Sequence, residues 1–477
     1  MRFGLLRRLD NLPAAVKASF AFFFSSVVTS GIAYITTPVY TRILTTDEYG
    51  QVSVFLTWLQ LFGIVAMFCL SMGVFNNGMV DFPDRRDEYS FSILILSNII
   101  TILFTIFLFS VYPLIKPIIG MSHSLLFLMT VIFLFQPAYN FWVARQRYEY
   151  KYKFVVFWAI INALISPSIA IIACIYHSPG DRLYPRLFGA EVPLIVVYIA
   201  FHVYLGRKAN FEIDKSFWKP ALMFNLPLIP HYLSSYLLNS SDKIMISRLV
   251  SDSATAYYSV AYSVAAVAFI FWGAVNGSLI PYTYEKCKEK DFKGISNVVV
   301  PILMIFALFC LLIIMLAPEV VAIMATKSYQ EAIYVIPPII GGVFFQVQYY
   351  IYANVVYYYK RPKYLMYASV IATVLNIALN YCFIKQFGYL AAGYTTLICF
   401  IVQAAIDYFA MRKVVKEDVY NMKYVSLLSI TVIIVALISN TVYDYPLIRY
   451  GIISIIVLLA IIKRGTIFDM FMNIRKN

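Results

Sequence analysis

Long apolar runs recur along this chain, and they leave it little choice of solvent. A helix that crosses hydrocarbon takes about 20 mostly apolar residues. Fourteen such runs are counted, near 17–40, 51–75, 90–115, 124–145, 154–176, 187–206, 217–241, 255–280, 296–325, 331–358, 364–384, 388–411, 423–442 and 445–463. The connections between them are short. The longest polar stretches, around 76–89 and 206–219, cannot hold a domain. Of 477 residues, 61% are hydrophobic and 13% charged, against about 45–50% and about 25% in soluble domains. A soluble fold cannot hide that much apolar surface, whereas a bilayer solvates it. The sequence therefore predicts an all-α polytopic membrane protein of about 14 transmembrane helices.

The net charge of +14 could suggest nucleic acid. The basic residues, however, are spread through short loops rather than gathered on one face, as orientation signals are. Of the 38 Lys and Arg, 29 fall in one alternate set of loops and 9 in the other. The richer set includes both ends of the chain, which predicts cytoplasmic termini. Miscounting one helix would swap every later loop and destroy the bias. Arg2, Arg7, Arg8 and Lys17 precede an apolar run too long for a signal peptide and lacking a small-residue cleavage site, so it reads as a retained first helix. The six cysteines show no metal spacing and read as small core residues.

The chain also repeats itself. TRILTTDEYGQVSV (41–54) is echoed by SRLVSDSATAYYSVA (247–261), with Arg42 and Arg248 206 residues apart. FLFQ (133–136) is echoed by VFFQ (343–346), 210 apart, and each is followed by a tyrosine-rich basic loop. Asn162 and Asn376 then fall 214 apart. Such a repeat covers six helices. Six is even, so both halves start on the same side of the membrane, giving parallel repeats about an axis along the membrane normal. The expected division is a six-helix lobe over 1–210, a second over 211–415, and two extra helices with a tail over 416–477, the lobes facing each other across a cleft.

No GxSxG, Walker loop or HExxH is present, and the four histidines lack ligand spacing. The sequence thus predicts no catalytic residue, cofactor or metal site. The best functional signal is polar residues inside spans, where they are expensive. The seventh run is richest. Pro220, Pro227 and Pro230 should bend or break it, and Asn225, His231, Ser234, Ser235 and Asn239 could face water in a cleft. Asp242, Lys243 and Arg248 follow at its outer end, where they either line the cleft or mark the membrane surface. Asp242 and Lys243 are adjacent and need not pair. Arg42 and Arg248, equivalent in the two halves, would suit an anionic ligand, because guanidinium grips phosphate through two hydrogen bonds. An interface anchor or loop ion pair is the other reading of both. Asn276, Gln346, Asn354, Asn376 and Asn380 suit hydrogen bonds between helices as well as a cleft. Glu191 and Asp407 are candidate protonation sites, although Asp407 lies near Arg412 and Lys413 and is expected to pair with them at the surface.

TRILTTDEYG (41–50) and SSDKIMISRLVSDSATAYYSVAYS (240–263) resemble motifs of the polysaccharide-transport branch of the multidrug/oligosaccharidyl-lipid/polysaccharide (MOP) superfamily, the O-antigen and exopolysaccharide flippases. Tyr257-Tyr258 stands where Gly-Tyr is common. The layout of six, six and two helices covers essentially the whole chain. The resemblance implies a MATE-like, V-shaped transporter that alternates its access in the bacterial inner membrane. It implies an undecaprenyl-pyrophosphate-linked oligosaccharide as cargo, an H+ or Na+ coupling ion, and association with polysaccharide polymerase machinery. Arg42 and Arg248 would draw the pyrophosphate, with Lys243 secondary. A drug/cation antiporter of the same superfamily shares the layout but should carry deep carboxylates. A membrane-embedded polysaccharide polymerase or ligase should present a large outer loop. A scaffold would need no duplicated cleft.

Overall fold

A computed structural model describes residues 14–462. The basic residues Arg2, Arg7 and Arg8 and the tail from Lys463, on which the placement of the termini rests, lie outside the described residues. Among the described residues there are seventeen α-helices and no strand. Twelve are long and apolar enough to cross a membrane, which makes this a multi-pass membrane protein. Two compact units divide between Tyr236 and Leu237.

The first unit holds α1 (Ala14–Ile43), α2 (Thr46–Ala66), α3 (Val74–Asp81), α4 (Arg86–Ile119), α5 (His123–Tyr148), α6 (Tyr152–Ile175), α7 (Leu183–Lys208) and α8 (Trp218–Asn225). The next helix, α9 (Ile229–Leu249), carries the chain into the second unit. That unit continues with α10 (Asp252–Glu289), α11 (Phe292–Met315), α12 (Ala317–Met324), α13 (Ile336–Tyr358), α14 (Lys363–Phe387), α15 (Tyr389–Val415), α16 (Met422–Val442) and α17 (Pro446–Ile462).

Two of the fourteen expected spans fall short of the twelve. The seventh is split: α8 stops at Asn225, a 3-10 turn covers Leu226–Leu228, and α9 resumes at Ile229. Pro227 and Pro230 remove donors there, and the chain tightens while its backbone stays helical. The fourteenth is α17, of 17 residues.

The first unit has its tightest core at the end where α3, α4, α5, α7 and α8 meet. Phe75 stacks on Phe141 at 4.8 Å, and Phe217 packs against Phe82 at 4.7 Å. Just outside, Arg85 forks onto Glu88 and reaches Asp214 at 2.7 Å. The Asp214 carboxyl is held down at about 2, first by hydrogen bonds from Ser216 and then by Arg85. In the second unit α13 is buried along most of its length. Gly341 and Gly342 let α15 and α16 approach it; a Cβ on Gly342 would stand 3.1 Å from Phe400. On α17, Arg449 clasps Glu319 with both terminal nitrogens, one bond being 2.6 Å, and caps the Met315 carbonyl at 3.0 Å. Five of the six cysteines are buried; Cys382 is exposed, which corrects the reading of all six as core residues.

The repeat is visible at the helix joints. In the first unit α1 ends at Ile43 and Thr45 caps α2; in the second α9 ends at Leu249 and Ser251 caps α10, again 206 residues on. α5 and α13 end at Tyr148 and Tyr358, 210 apart. Each closes through a left-handed residue, Tyr150 (φ 54°) or Lys360 (φ 55°). The following amide then reaches back five residues, Lys151 to Gln146 and Arg361 to Val356. This is the Schellman closure, drawn twice. The copies diverge at one place. The second has the single 38-residue α10, whereas the first breaks into α2 and α3 around left-handed Phe68 and Cys69.

Candidate functional site

Asp242 is the feature of the second unit that most needs explaining, since it is 0% exposed and ionisable. Its position follows from α9, which turns it inward one residue after Ser241. Three donors from three other helices meet its carboxylate. Tyr258 of α10 donates its hydroxyl to Oδ2, Thr396 of α15 donates to Oδ2 at 2.8 Å, and Asn380 of α14 donates to Oδ1 at 2.5 Å. A further layer holds these donors in place. Asn376, one turn before Asn380, accepts from Ser241 and Asn380, each at 3.1 Å, and donates to Thr396 at 2.9 Å. Thr395 donates to the Asn380 carbonyl. Seven side chains from four helices thus form one buried polar network.

No basic residue forms an ion pair with Asp242 among the described residues. Lys243 turns away, with Nζ 5.4 Å over the Tyr262 ring, as adjacent positions on a helix require. Two hydroxyls and one amide N–H thus donate to the carboxylate. No group of three or more His, Cys, Asp or Glu side chains is placed to hold a metal ion among the described residues.

The two arginines occupy equivalent places in their own units. Each is the penultimate residue of its helix, Arg42 in α1 and Arg248 in α9, and each is exposed. Arg42 Nη1 donates to the Pro38 carbonyl at 2.7 Å. The joint beside it is rigid. Glu48 accepts from the Thr45 amide at 2.8 Å and turns its other oxygen to the amides of Gly180 and Arg182 at 3.1 and 2.6 Å. Arg182 in turn donates to the Ile43 carbonyl at 2.5 Å. This clamp ties the α1–α2 joint to the α6–α7 loop. At the second joint Ser251 caps α10 through the Ala254 amide at 3.0 Å, and Asp252 accepts from Ser247 at 2.5 Å.

The other sequence-derived candidates are scattered. Asn239 accepts from Gln346 at 3.2 Å, linking α9 to α13. Asn276 accepts from Asn354 at 2.9 Å, linking α10 to α13. His231 is half-buried on α9. Asn225 is 1% exposed and donates to the Phe68 carbonyl at 2.9 Å, so it sits in the first unit's core and steadies the break between α2 and α3. The surface pairing expected of Asp407 with Arg412 and Lys413 is not formed. Asp407 is 0% exposed, Arg412 lies 3.6 Å from Asp418 instead, and Lys413 covers the Tyr364 ring. Tyr258, Thr395 and Thr396 were missed as members of the network. The spacing of Asn376 and Asn380, one turn apart, was a signal that one face of α14 is polar, but nothing local ties it to Asp242 138 residues away.

The sequence profile of the polysaccharide biosynthesis protein family matches residues 15–286, more than half of the chain. The chain belongs to that family. The MatE profile matches residues 227–382, in keeping with the polysaccharide-transport branch of the MOP superfamily. Lsg locus protein 1 of Haemophilus influenzae is 26% identical over 371 residues, 73% of this chain and 86% of that protein. The probable low-salt glycan biosynthesis flippase Agl15 of Haloferax volcanii is 26% identical over 180 residues, 36% of this chain and 38% of that one. Among solved structures, the lipid II flippase MurJ in an inward closed conformation matches 95% of this chain and 100% of its own with a TM-score of 0.66 at 16% identity. An inward-facing multidrug resistance MATE transporter matches 81% and 94% with a TM-score of 0.61 at 12% identity. The family member described here therefore has the fold shared by MurJ and the MATE transporters.

Proposed function

We propose that this protein is a flippase that carries a lipid-linked oligosaccharide across a membrane for surface polysaccharide assembly. The observation that carries the reading is the family match over residues 15–286; the flippase names of Agl15 and MurJ support it. The finer reading has an undecaprenyl-pyrophosphate carrier, the bacterial inner membrane, cytoplasmic termini, an O-antigen or capsule product, and polymerase machinery as a partner. The organisation proposed is two lobes, 1–210 and 211–415, with 416–477 outside the repeat. No bond in the cargo changes, so the protein acts as a transporter and not an enzyme. The physical task is to shield a charged, hydroxyl-rich headgroup whose bare passage through hydrocarbon is prohibitive. Arg42 and Arg248 are proposed to meet the pyrophosphate, since both present guanidinium groups at exposed helix ends. Lys243, His231, Asn239 and Asn276 have lesser parts in that proposal, from which the burial of Asn225 removes it, and Asp242 with its network would take the coupling ion, H+ or Na+.

Deleting the gene should leave lipid-linked oligosaccharide on the inner leaflet, with restoration by the wild-type chain. The double substitution Arg42→Gln and Arg248→Gln, expressed to the same level, should restore little. Full restoration would remove the arginines from the mechanism but leave the flippase reading standing. The MatE match over 227–382 favours one second reading, a drug/cation antiporter. In that case deletion would change drug efflux and leave the lipid-linked sugar unaltered.

A further inference from the structure

The second unit buries another carboxylate in a setting opposite to that of Asp242. Asp407 lies on α15, is 0% exposed, and finds no hydrogen-bond donor among the described residues for either carboxylate oxygen. Asp242, equally buried, receives three donors. An ionised carboxylate with neither a donor nor a cation, taken out of water, costs several kcal/mol or more. A neutral carboxylic acid costs far less.

The surroundings give it nothing else to pair with. On α15 itself, Arg412 is engaged with Asp418 and Lys413 with the Tyr364 ring of α14. On α13 the ionisable groups that interact with it are the phenols of Tyr349 and Tyr352. Among the described residues no charged group of α10 or α14 pairs with it; Lys286 of α10 is engaged with Glu289 and Asp291, and Lys385 of α14 with Tyr381. Its chain neighbour Tyr408, however, reaches a pocket. The Tyr352 ring lies 5.7 Å from Tyr408 and 5.8 Å from Tyr420. Tyr408 and Tyr420, with Arg412, line a pocket at the basic end of α15.

We propose that Asp407 is a proton-binding site, separate from the Asp242 network, which exchanges its proton with water through the tyrosine-lined pocket at the basic end of α15. The proton is held on a carboxylate oxygen and released to water past Tyr352. Deprotonation leaves an unpaired buried anion, so release requires rearrangement of α15 against α13. That couples the proton to the packing of this unit. The site goes beyond the flippase reading and is tested without any cargo.

The test is infrared spectroscopy of the full-length protein reconstituted in lipid, titrated from acid to alkaline pH. The wild type should show a protonated-carboxyl band that fades as pH rises, and Asp407→Asn should lack it. Asp407→Leu, which keeps the branched shape and number of heavy atoms, serves if the asparagine variant does not fold. Tyr352→Phe and Tyr408→Phe should slow hydrogen–deuterium exchange of the band several-fold without removing it. An identical band in wild type and variant, or one indifferent to pH, overturns the proposal. Lost transport in the deletion assay speaks to the flippase reading alone.

Discussion

At the residue scale the protein separates two ways of burying an acid. Asp242 keeps its charge supplied with donors, and those donors come from helices far apart in sequence. Replacing Asp242 with Leu orphans the Tyr258 hydroxyl, the Thr396 hydroxyl and an Asn380 amide hydrogen at once. Each unsatisfied buried group costs about 1–3 kcal/mol, so the variant should lose well over about 2 kcal/mol. Asp242→Asn retains an acceptor oxygen and should lose less. Thermal unfolding of the purified proteins in detergent would rank them; equal losses would mean the network adds nothing. Thr45 offers a second test. Its Oγ1 accepts from the Glu48 amide at 3.2 Å, and the Glu48 carboxylate returns to the Thr45 amide. Thr45→Ala should cost about 1 kcal/mol. Ser251→Ala, whose cap has no reciprocal glutamate, should cost less.

At the element scale the helices outside the repeat are held by specific polar ties. α17 is fixed by the clasp of Arg449 on Glu319, to which Tyr450 adds a bond of 2.6 Å. Arg449→Gln should loosen α17 at a cost of about 1–3 kcal/mol, the range for a lost hydrogen bond at a partly exposed carboxylate. Faster protease cleavage in the 443–446 turn would report it. In the first unit the tie between Arg85 and Asp214 joins the start of α4 to the segment before α8. Because folding depresses the Asp214 carboxyl to about 2, its contribution is present above the ordinary carboxylate range. It is lost as pH falls from there toward about 2. Asp214→Asn should lower stability at neutral pH, change it little near pH 2, and so flatten that acid limb of the stability curve, as a pH series of melting curves would show.

At the scale of the whole molecule the repeated plan explains both what is shared and what is not. The two joints 206 residues apart keep the same helix end and cap position because a cap needs only a small hydroxyl side chain, and Thr and Ser both supply it. What differs is α10, continuous where the first copy breaks, and the added α16 against α13. Gln348 of α13 donates to Ser429 of α16 at 2.7 Å, and Asn440 donates to the Tyr334 carbonyl at 3.0 Å. A chain ending at residue 416 would uncover that face of α13. It should aggregate or be degraded, and size-exclusion chromatography of the truncated protein would settle the matter. A monodisperse, thermally stable product would mean that α16 and α17 are dispensable.

The amino-acid sequence by itself determined the solvent, the helices and the repeat. Apolar run length and short repeated motifs are local properties, each set within a few turns of chain, so they can be read without knowing the fold. The broken seventh span was legible for the same reason, from Pro227 and Pro230. Family membership was likewise written in two short motifs. The site was only half legible. Arg42 and Arg248 could be matched by their spacing, whereas Asp242 was legible only as a charge at the outer end of its span. Tertiary structure alone decided that Asp242 meets Tyr258, Asn380 and Thr396, that Asn225 serves a core, and that Asp407 has no partner although Arg412 stands five residues away. Hydrogen bonds and burial are settled by which faces meet, and helices from distant parts of a chain choose their faces together.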